Sequence, residues 1–282
     1  PVAMPTVMTV VTWPLPLLFA FVIGAGALVA ASLERWRWLR MNREPQQQAA
    51  SDRSEAVGQG AEDRRSFERL LWISALWPIA LISMPETPVF GGVKHWLLTF
   101  IFMLLIAGHG LQWLWTVLCQ RLRQGTVRDQ GMALAASWLL VLLVLVPSVQ
   151  ATWKTHPHGT AYYNELIGGL RGAADRGMQR QFWGGATRHG LEEVNRRASR
   201  SARIWFHKSP WGAYVMYQRE GWLRRDLGYA SHPAGSQLGF YHHQKDHDDY
   251  ELECFDDYGV SAAVSQVEVQ GVPMLSVYER LQ

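Results

Sequence analysis

The stretch Trp153–Gly169, WKTHPHGTAYYNELIGG, divides the chain into two kinds of protein. Upstream lie four apolar runs with almost no charge inside them. Downstream, residues 170–282 are polar and carry mixed strand and helix patterns. The stretch itself gathers His156, His158, Tyr162, Tyr163, Asn164 and paired glycines, as at the mouth of a membrane domain.

Working upstream, the apolar runs predict spans near 15–33, 67–84, 97–118 and 131–149. The first run, Leu15–Leu33, is long enough for a hydrocarbon core of about 30 Å at about 1.5 Å per helical residue. Trp13, Trp36 and Trp38 flank it as interfacial aromatics do. Its Gly24-Ala25-Gly26-Ala27 follows no strand, so the pattern predicts close helix packing in lipid rather than a nucleotide turn. Arg35, Arg37, Arg40 and Arg43 follow the first run, and Arg64, Arg65 and Arg69 precede the second. Between them, Pro45–Asp63 is rich in Gln, Ala, Ser and Glu without periodicity, which predicts a disordered loop. Arg121, Arg123 and Arg128 follow the third run. The basic residues therefore mark these two loops as cytoplasmic. By that bias the N-terminus, the loop PETPVFGGVKHW (85–96) and residues 151–282 share the opposite side.

Working downstream, Leu191–Arg200 and Trp211–Glu220 read as helices, the second stopped by Gly221. Asn164–Gly172 reads as a short helix ended by its Gly pair. Ala202–His207 and Leu238–His242 read as strands, and Asp246–Tyr258 as an acidic helix closed by Gly259. Val264–Val269 and Met274–Tyr278 alternate on either side of Gln270–Pro273, a hairpin signature. The fold class expected is an α-helical polytopic membrane domain (1–150) with four spans, then a small extracytoplasmic α/β domain (151–282).

The net charge is +3, concentrated in the loops of the first half, and no basic stripe is interleaved with aromatics. Nucleic acid is thereby excluded as a partner. Cys119 and Cys254 fall on opposite sides of the expected membrane, which excludes a disulfide between them, and no metal-type Cys spacing occurs. The opening PVAMPTVMTV has no start Met and no signal-peptide n-region, so the chain is expected to be a fragment of a longer protein.

Four groups of residues bear on chemistry. In the outer loop Glu86, Lys94 and His95 accompany Gly91 and Gly92, whose backbone N–H groups beside the Lys and His suit a phosphate; the alternative is a connector whose Lys snorkels to headgroups. Lys154, His156, His158, Tyr162, Tyr163, Asn164 and Glu165 would line a polar sugar pocket, or else form the interfacial belt. An Arg band from Arg171 to Arg203 suits anionic lipid, or a solvated helix face. His242, His243, Asp246, His247, Asp248 and Asp249 offer partial metal ligation, or a polar turn. No GxSxG, HExxH, P-loop or CxxC pair is present.

The loop PETPVFGGVKHWLL, then HPHGTAYYNELIGG, then QFWGG resemble the C-terminal half of bacterial GT-C membrane glycosyltransferases. These belong to the protein O-mannosyltransferase-like group, glycosyltransferase family 39-like, which includes lipid A aminoarabinose transferases. The similarity spans roughly residues 75–190 and rests on Gly92–His95, His156–Pro157, Tyr162–Gly169 and Trp183–Gly184. It implies transfer of a sugar from a polyprenyl-phosphate donor to an acceptor on the outer face of the inner membrane. It implies a catalytic acid in an outer loop upstream, so that this chain holds donor-side residues and would not turn over alone. It implies no cofactor held by this chain, with a divalent metal in the full-length enzyme. The substrate-binding set it suggests is Lys94, His95, His156, Tyr162, Tyr163 and Asn164. Where the group usually carries an Asp near its Trp-Gly, this chain has Gln181. A transporter subunit and a membrane-anchored binding or scaffolding protein are the alternatives.

Overall fold

The computed structural model describes residues 2–41, 53–87, 92–122, 127–182, 184–244 and 248–281. The chain divides into two compact units, Pro1–Val149 and Gln150–Gln282.

The first unit is helical. α1 (Met4–Val11) carries Pro5 in its first turn, where a missing N–H breaks no helical bond. α2 (Leu15–Met41) and α3 (Arg53–Ile82) follow. A 3₁₀ turn over Gly92–Trp96 leads into α4 (Leu97–Leu122), and α5 (Val127–Thr155) runs on into the second unit. Among the described residues, three stretches are long and apolar enough to cross a membrane: Leu15–Arg37, Gly92–Gln120 and Leu134–Thr155. The second expected span, 67–84, is helical to Ile82, but its apolar part covers only Leu70–Ile82. At about 1.5 Å per residue that is about 20 Å, short of a core of about 30 Å. The disordered loop expected over 45–63 is corrected in part. Residues 53–63 belong to α3, because Ala, Glu, Gln and Arg there are good helix formers and extend an existing helix cheaply. Residues 45–52 lie outside the described residues.

Packing in this unit turns on small residues. A Cβ added at Gly24 of α2 would lie 1.9 Å from the Ile106 carbonyl oxygen of α4. One added at Gly110 would lie 2.2 Å from that of Ala20. Gly24 and Gly110 thus let two backbones touch, which maximises dispersion contacts where lipid removes the hydrophobic drive. Around this contact, Trp13, Leu28, Leu71, Ala75, Met103 and Ile106 form the core. Trp13 stacks on Phe100 at 5.9 Å. Buried Trp96 donates from Nε1 to Thr9 Oγ1 at 2.8 Å, tying the 3₁₀ turn to α1.

The second unit is an α/β layer. α6 (Gly169–Asp175) and α7 (Thr187–Arg197) precede β1 (Arg203–Phe206). Then come α8 (Trp211–Arg219), β2 (Gly228–Ala230), β3 (Leu238–His242), α9 (Asp248–Tyr258), β4 (Ser265–Val269) and β5 (Val272–Glu279). The five strands pair in the order β2-β1-β3-β5-β4. β2, β1 and β3 are parallel, and β5 runs antiparallel to both β3 and β4. Alternation along β1 sends Phe206 to one face and Trp205 to the other. On the first face Phe206 meets Phe240 and Tyr214 of α8, while Gly190 of α7 lies against Phe240 and Leu275. On the second, Trp205, Ala230, Tyr241 and Tyr278 pack with Cys254 and Tyr258 of α9. Both cysteines are free.

Most downstream readings hold within a few residues. The hairpin turn has positive φ at both Gln270 and Gly271, the twist that matches flanking strands, and Val272 and Pro273 join β5. Two readings change. The Gly pair after Leu166 does not end a helix: Gly168 closes a 3₁₀ turn over Glu165–Ile167, and Gly169 begins α6. β2 was unforeseen, because three residues, Gly-Tyr-Ala, are too few to show alternation.

Candidate functional site

The junction is built around its own backbone. Buried Tyr163 donates its hydroxyl to the Gln179 carbonyl at 2.7 Å. Buried Asn164 accepts the Leu166 N–H at 3.1 Å through Oδ1, while its carbonyl accepts from Gly169 at 2.9 Å. These two side chains therefore hold the turn that starts α6. Tyr162 is half-buried, and burial, followed by the Glu165 charge, pushes its hydroxyl up to about 12. His156 is exposed, beside a cis peptide to Pro157. The His158 ring lies 4.6 Å from that of His189. Burial lowers both from the ordinary imidazole value, helped at His158 by His189 and His156, and at His189 by Arg188. Lys94 and His95 belong to the first unit, half-buried in the 3₁₀ turn that opens the Gly92–Gln120 stretch.

The segment after α6 reaches the sheet. Gln181 is buried; its Nε2 donates to the Met274 carbonyl of β5, and its Oε1 accepts the Ala186 N–H at 3.3 Å. The amide thus crosslinks the entry to α7 by donating at one end and accepting at the other, which an ionised acid, an acceptor only, could not do. Trp183 lies outside the described residues. Gly184 has φ 64°, and a Cβ there would sit 3.0 Å from Ser209 Oγ and 3.3 Å from His242 Nε2. Its place is filled by a buried polar network. Thr187 Oγ1 lies 2.9 Å from Ser209 Oγ, 2.9 Å from His242 Nε2 and 2.8 Å from the Gly184 carbonyl. His242 Nδ1 lies 2.7 Å from the His207 carbonyl, so it carries the proton there. His207 Nδ1 instead accepts the His242 N–H at 3.1 Å, so the proton of that ring sits on Nε2. His242 Nδ1 meets a carbonyl, and Thr187 Oγ1 bridges its Nε2 to Ser209 Oγ. The set locks the ends of β1 and β3 together and is not a nucleophile–base–acid array.

A cleft of about 310 Å³ opens beside this network, at the carboxyl ends of β1 and β2. In open α/β sheets ligands settle outside the carboxyl ends of the strands; the reversal of strand order itself falls one position over, between β1 and β3. Here β1 leads outward to β2, and the chain returns past β1 to β3. The cleft offers hydrogen-bonding groups from His207, Lys208, Ser209, Ser231 and His232, and the ring of Tyr250. Lys208 has φ 52°, a strained conformation for a residue with a Cβ. Its Nζ lies 5.1 Å from the Tyr250 ring centroid. The His207 ring stacks on Trp205 at 5.2 Å and Tyr241 at 5.3 Å, which fixes its plane.

The structure thus brings His156, Tyr162, Tyr163 and Asn164 into one unit and leaves Lys94 and His95 in the other. Among the described residues no group of three or more His, Cys, Asp or Glu is placed to hold a metal. Asp246 and His247 of the His/Asp stretch lie outside them. Sequence reading missed Lys208, Ser209, Ser231 and His232. The available signal was His-Lys-Ser-Pro directly after a β-pattern, the position of a strand's carboxyl end. In comparisons with known proteins, no family model, no curated protein and no solved structure matches the chain. What stands is a mostly helical protein with, among the described residues, three membrane-length apolar helices and a small C-terminal sheet.

Proposed function

We propose that the chain is the C-terminal portion of an inner-membrane glycosyltransferase that moves a sugar from a polyprenyl-phosphate donor to an outer-face acceptor. In this reading α3 supplies a fourth span, the Arg-rich loops are cytoplasmic, and residues 151–282 are extracytoplasmic. Lys94 and His95 meet the donor phosphate, and any divalent metal belongs to the complete enzyme. The observation that carries the reading is the cleft at the ends of β1 and β2. The Tyr250 ring, with Lys208 Nζ 5.1 Å from its centroid, lines a volume of about 310 Å³ together with hydroxyl and imidazole groups and the Glu253 carboxylate. A pyranose asks for this combination: an apolar ring face to cover and several hydroxyls to bond.

A glycan array probed with the full chain in detergent tests it. Binding to a restricted set of glycans is expected, lost in Tyr250→Ala and in Lys208→Ala. Binding to no glycan, or binding unchanged in both variants, removes the carbohydrate reading of the cleft.

A further inference from the structure

A cavity of about 490 Å³ lies between α2 and α3, at the Arg-rich end of the first unit. Helical spacing builds its walls. Ser32, Arg35 and Trp36 project from one stripe of α2, and Arg65, Arg69 and Trp72 from one stripe of α3. Glu68, mostly buried, accepts from Arg35 at 2.5 Å on one carboxylate oxygen and from Arg64 at 3.2 Å on the other. Both oxygens of that acid are therefore engaged, by Arg35 and Arg64, while Arg65 and Arg69 line the same cavity. Among the described residues no carboxylate lies within 4.0 Å of Arg65 or Arg69.

The α3 stripe continues past the arginines as Ile73 and Trp77, which are 60% and 58% exposed. Charge gives way to apolar surface along a single helix face, with Trp36 and Trp72 at the change. Arg35 and Trp36 sit at the end of the membrane-length stretch Leu15–Arg37. Guanidinium forks match phosphate oxygens, and tryptophan marks the level of headgroups.

We infer that this cavity binds the phosphodiester headgroup of an anionic phospholipid, with the acyl chains lying along Ile73 and Trp77. Arg65 and Arg69 hold the phosphate, and Glu68 fixes Arg35 as the opposite wall. A free phosphate shares the headgroup chemistry but leaves the apolar continuation of the stripe uncovered. The inference does not depend on the glycosyltransferase reading.

Native mass spectrometry of the full chain decides it, with phosphatidylglycerol, phosphatidylcholine or inorganic phosphate added. Retained phosphatidylglycerol should exceed phosphatidylcholine by at least about tenfold, since each Arg near a headgroup contributes on the order of 1 kcal/mol. The excess should disappear in Arg65→Ala/Arg69→Ala and persist in part in Arg65→Lys/Arg69→Lys. Arg171→Ala, in the other unit, should leave it unchanged. The Lys pair keeps the charge, so it reads the site even where the Ala pair lowers thermal stability. Equal retention of the two lipids, or an excess unaltered in the Ala pair, overturns the site. Displacement of the lipid by millimolar inorganic phosphate overturns the lipid as its occupant.

Discussion

At the scale of single residues, two side chains invite direct measurement. Lys94 stands at the start of a membrane-length helix, in a turn anchored by buried Trp96. If it meets a phosphate leaving group, its charge offsets charge that develops as the glycosidic bond breaks. Lys94→Ala and His95→Ala in the complete enzyme should then each lower kcat/KM about a hundredfold, near 3 kcal/mol. Changes below about threefold in both would indicate a Lys that only reaches toward headgroups. His243 is the second. Burial, then Arg180 and His242, hold its imidazole down at about 4. Ser276 Oγ lies 2.7 Å from Nε2, and Glu251, which accepts the Tyr278 hydroxyl, stays 4.0 Å from Nδ1. Between about pH 6.5 and 4 the unfolded chain therefore takes up a proton that the folded chain refuses. Stability is complete above that window and falls as pH drops through it, by on the order of 3 kcal/mol. Denaturant midpoints at pH 7.5 and 4.5 should separate less in His243→Gln than in the parent chain. An identical separation would place the acid sensitivity elsewhere.

At the scale of elements, the contact of α2 with α4 is the sharpest feature. Gly24 and Gly26 are two residues apart in the same motif, yet only Gly24 faces a backbone within 3 Å; Gly26 has nothing within 4 Å. Gly24→Val forces the helices apart and removes contacts along their whole length, whereas Gly26→Val adds a side chain to open space. The expected result is a fall in thermal midpoint of the detergent-purified chain for Gly24→Val, by several degrees, with Gly26→Val near the parent. Equal effects of the two would mean that helix propensity, not packing, sets the outcome. Elsewhere the elements are joined by backbone-directed side chains. Arg224 Nη1 donates to the Asn195 and Ala198 carbonyls at 3.1 and 2.7 Å, capping the end of α7. Arg280 binds the Ser236, Pro233 and Ala234 carbonyls, pinning the last strand to the 3₁₀ turn before β3.

For the whole molecule, the proposed orientation sets which side of a membrane each region would occupy. The chain's own cysteines serve poorly as reporters, because Cys254 is fully buried and its thiol is pushed up to about 12 by burial and by Glu251, Asp257 and Glu253. Single cysteines at exposed Thr160 and Asp63, in a chain with Cys119→Ala and Cys254→Ala, serve better. An impermeant maleimide should label Thr160→Cys in intact cells and Asp63→Cys only after permeabilisation. The reverse pattern would invert the proposed orientation.

Apolar run length was enough, from the sequence alone, to mark the three membrane-length helices among the described residues, because a bilayer imposes one length, but it overreached at 67–84, where the apolar part of α3 is short. Alternation and glycine stops were likewise enough for α8, β3, α9 and the closing hairpin. Local pattern could not show β2, which is too short to have one, nor the helical start of α3, which is polar all round. Nor could it show that Tyr163, Asn164 and Gln181 turn inward to backbone groups. Their hydrogen-bond partners lie from 2 to 93 positions away in the chain. The cleft draws on more elements: Lys208, Ser231 and Tyr250 meet because β1, β2 and α9 converge on one sheet edge. Spacing along a chain encodes what one helix or strand presents, whereas a site drawn from three elements exists only once the sheet order is set.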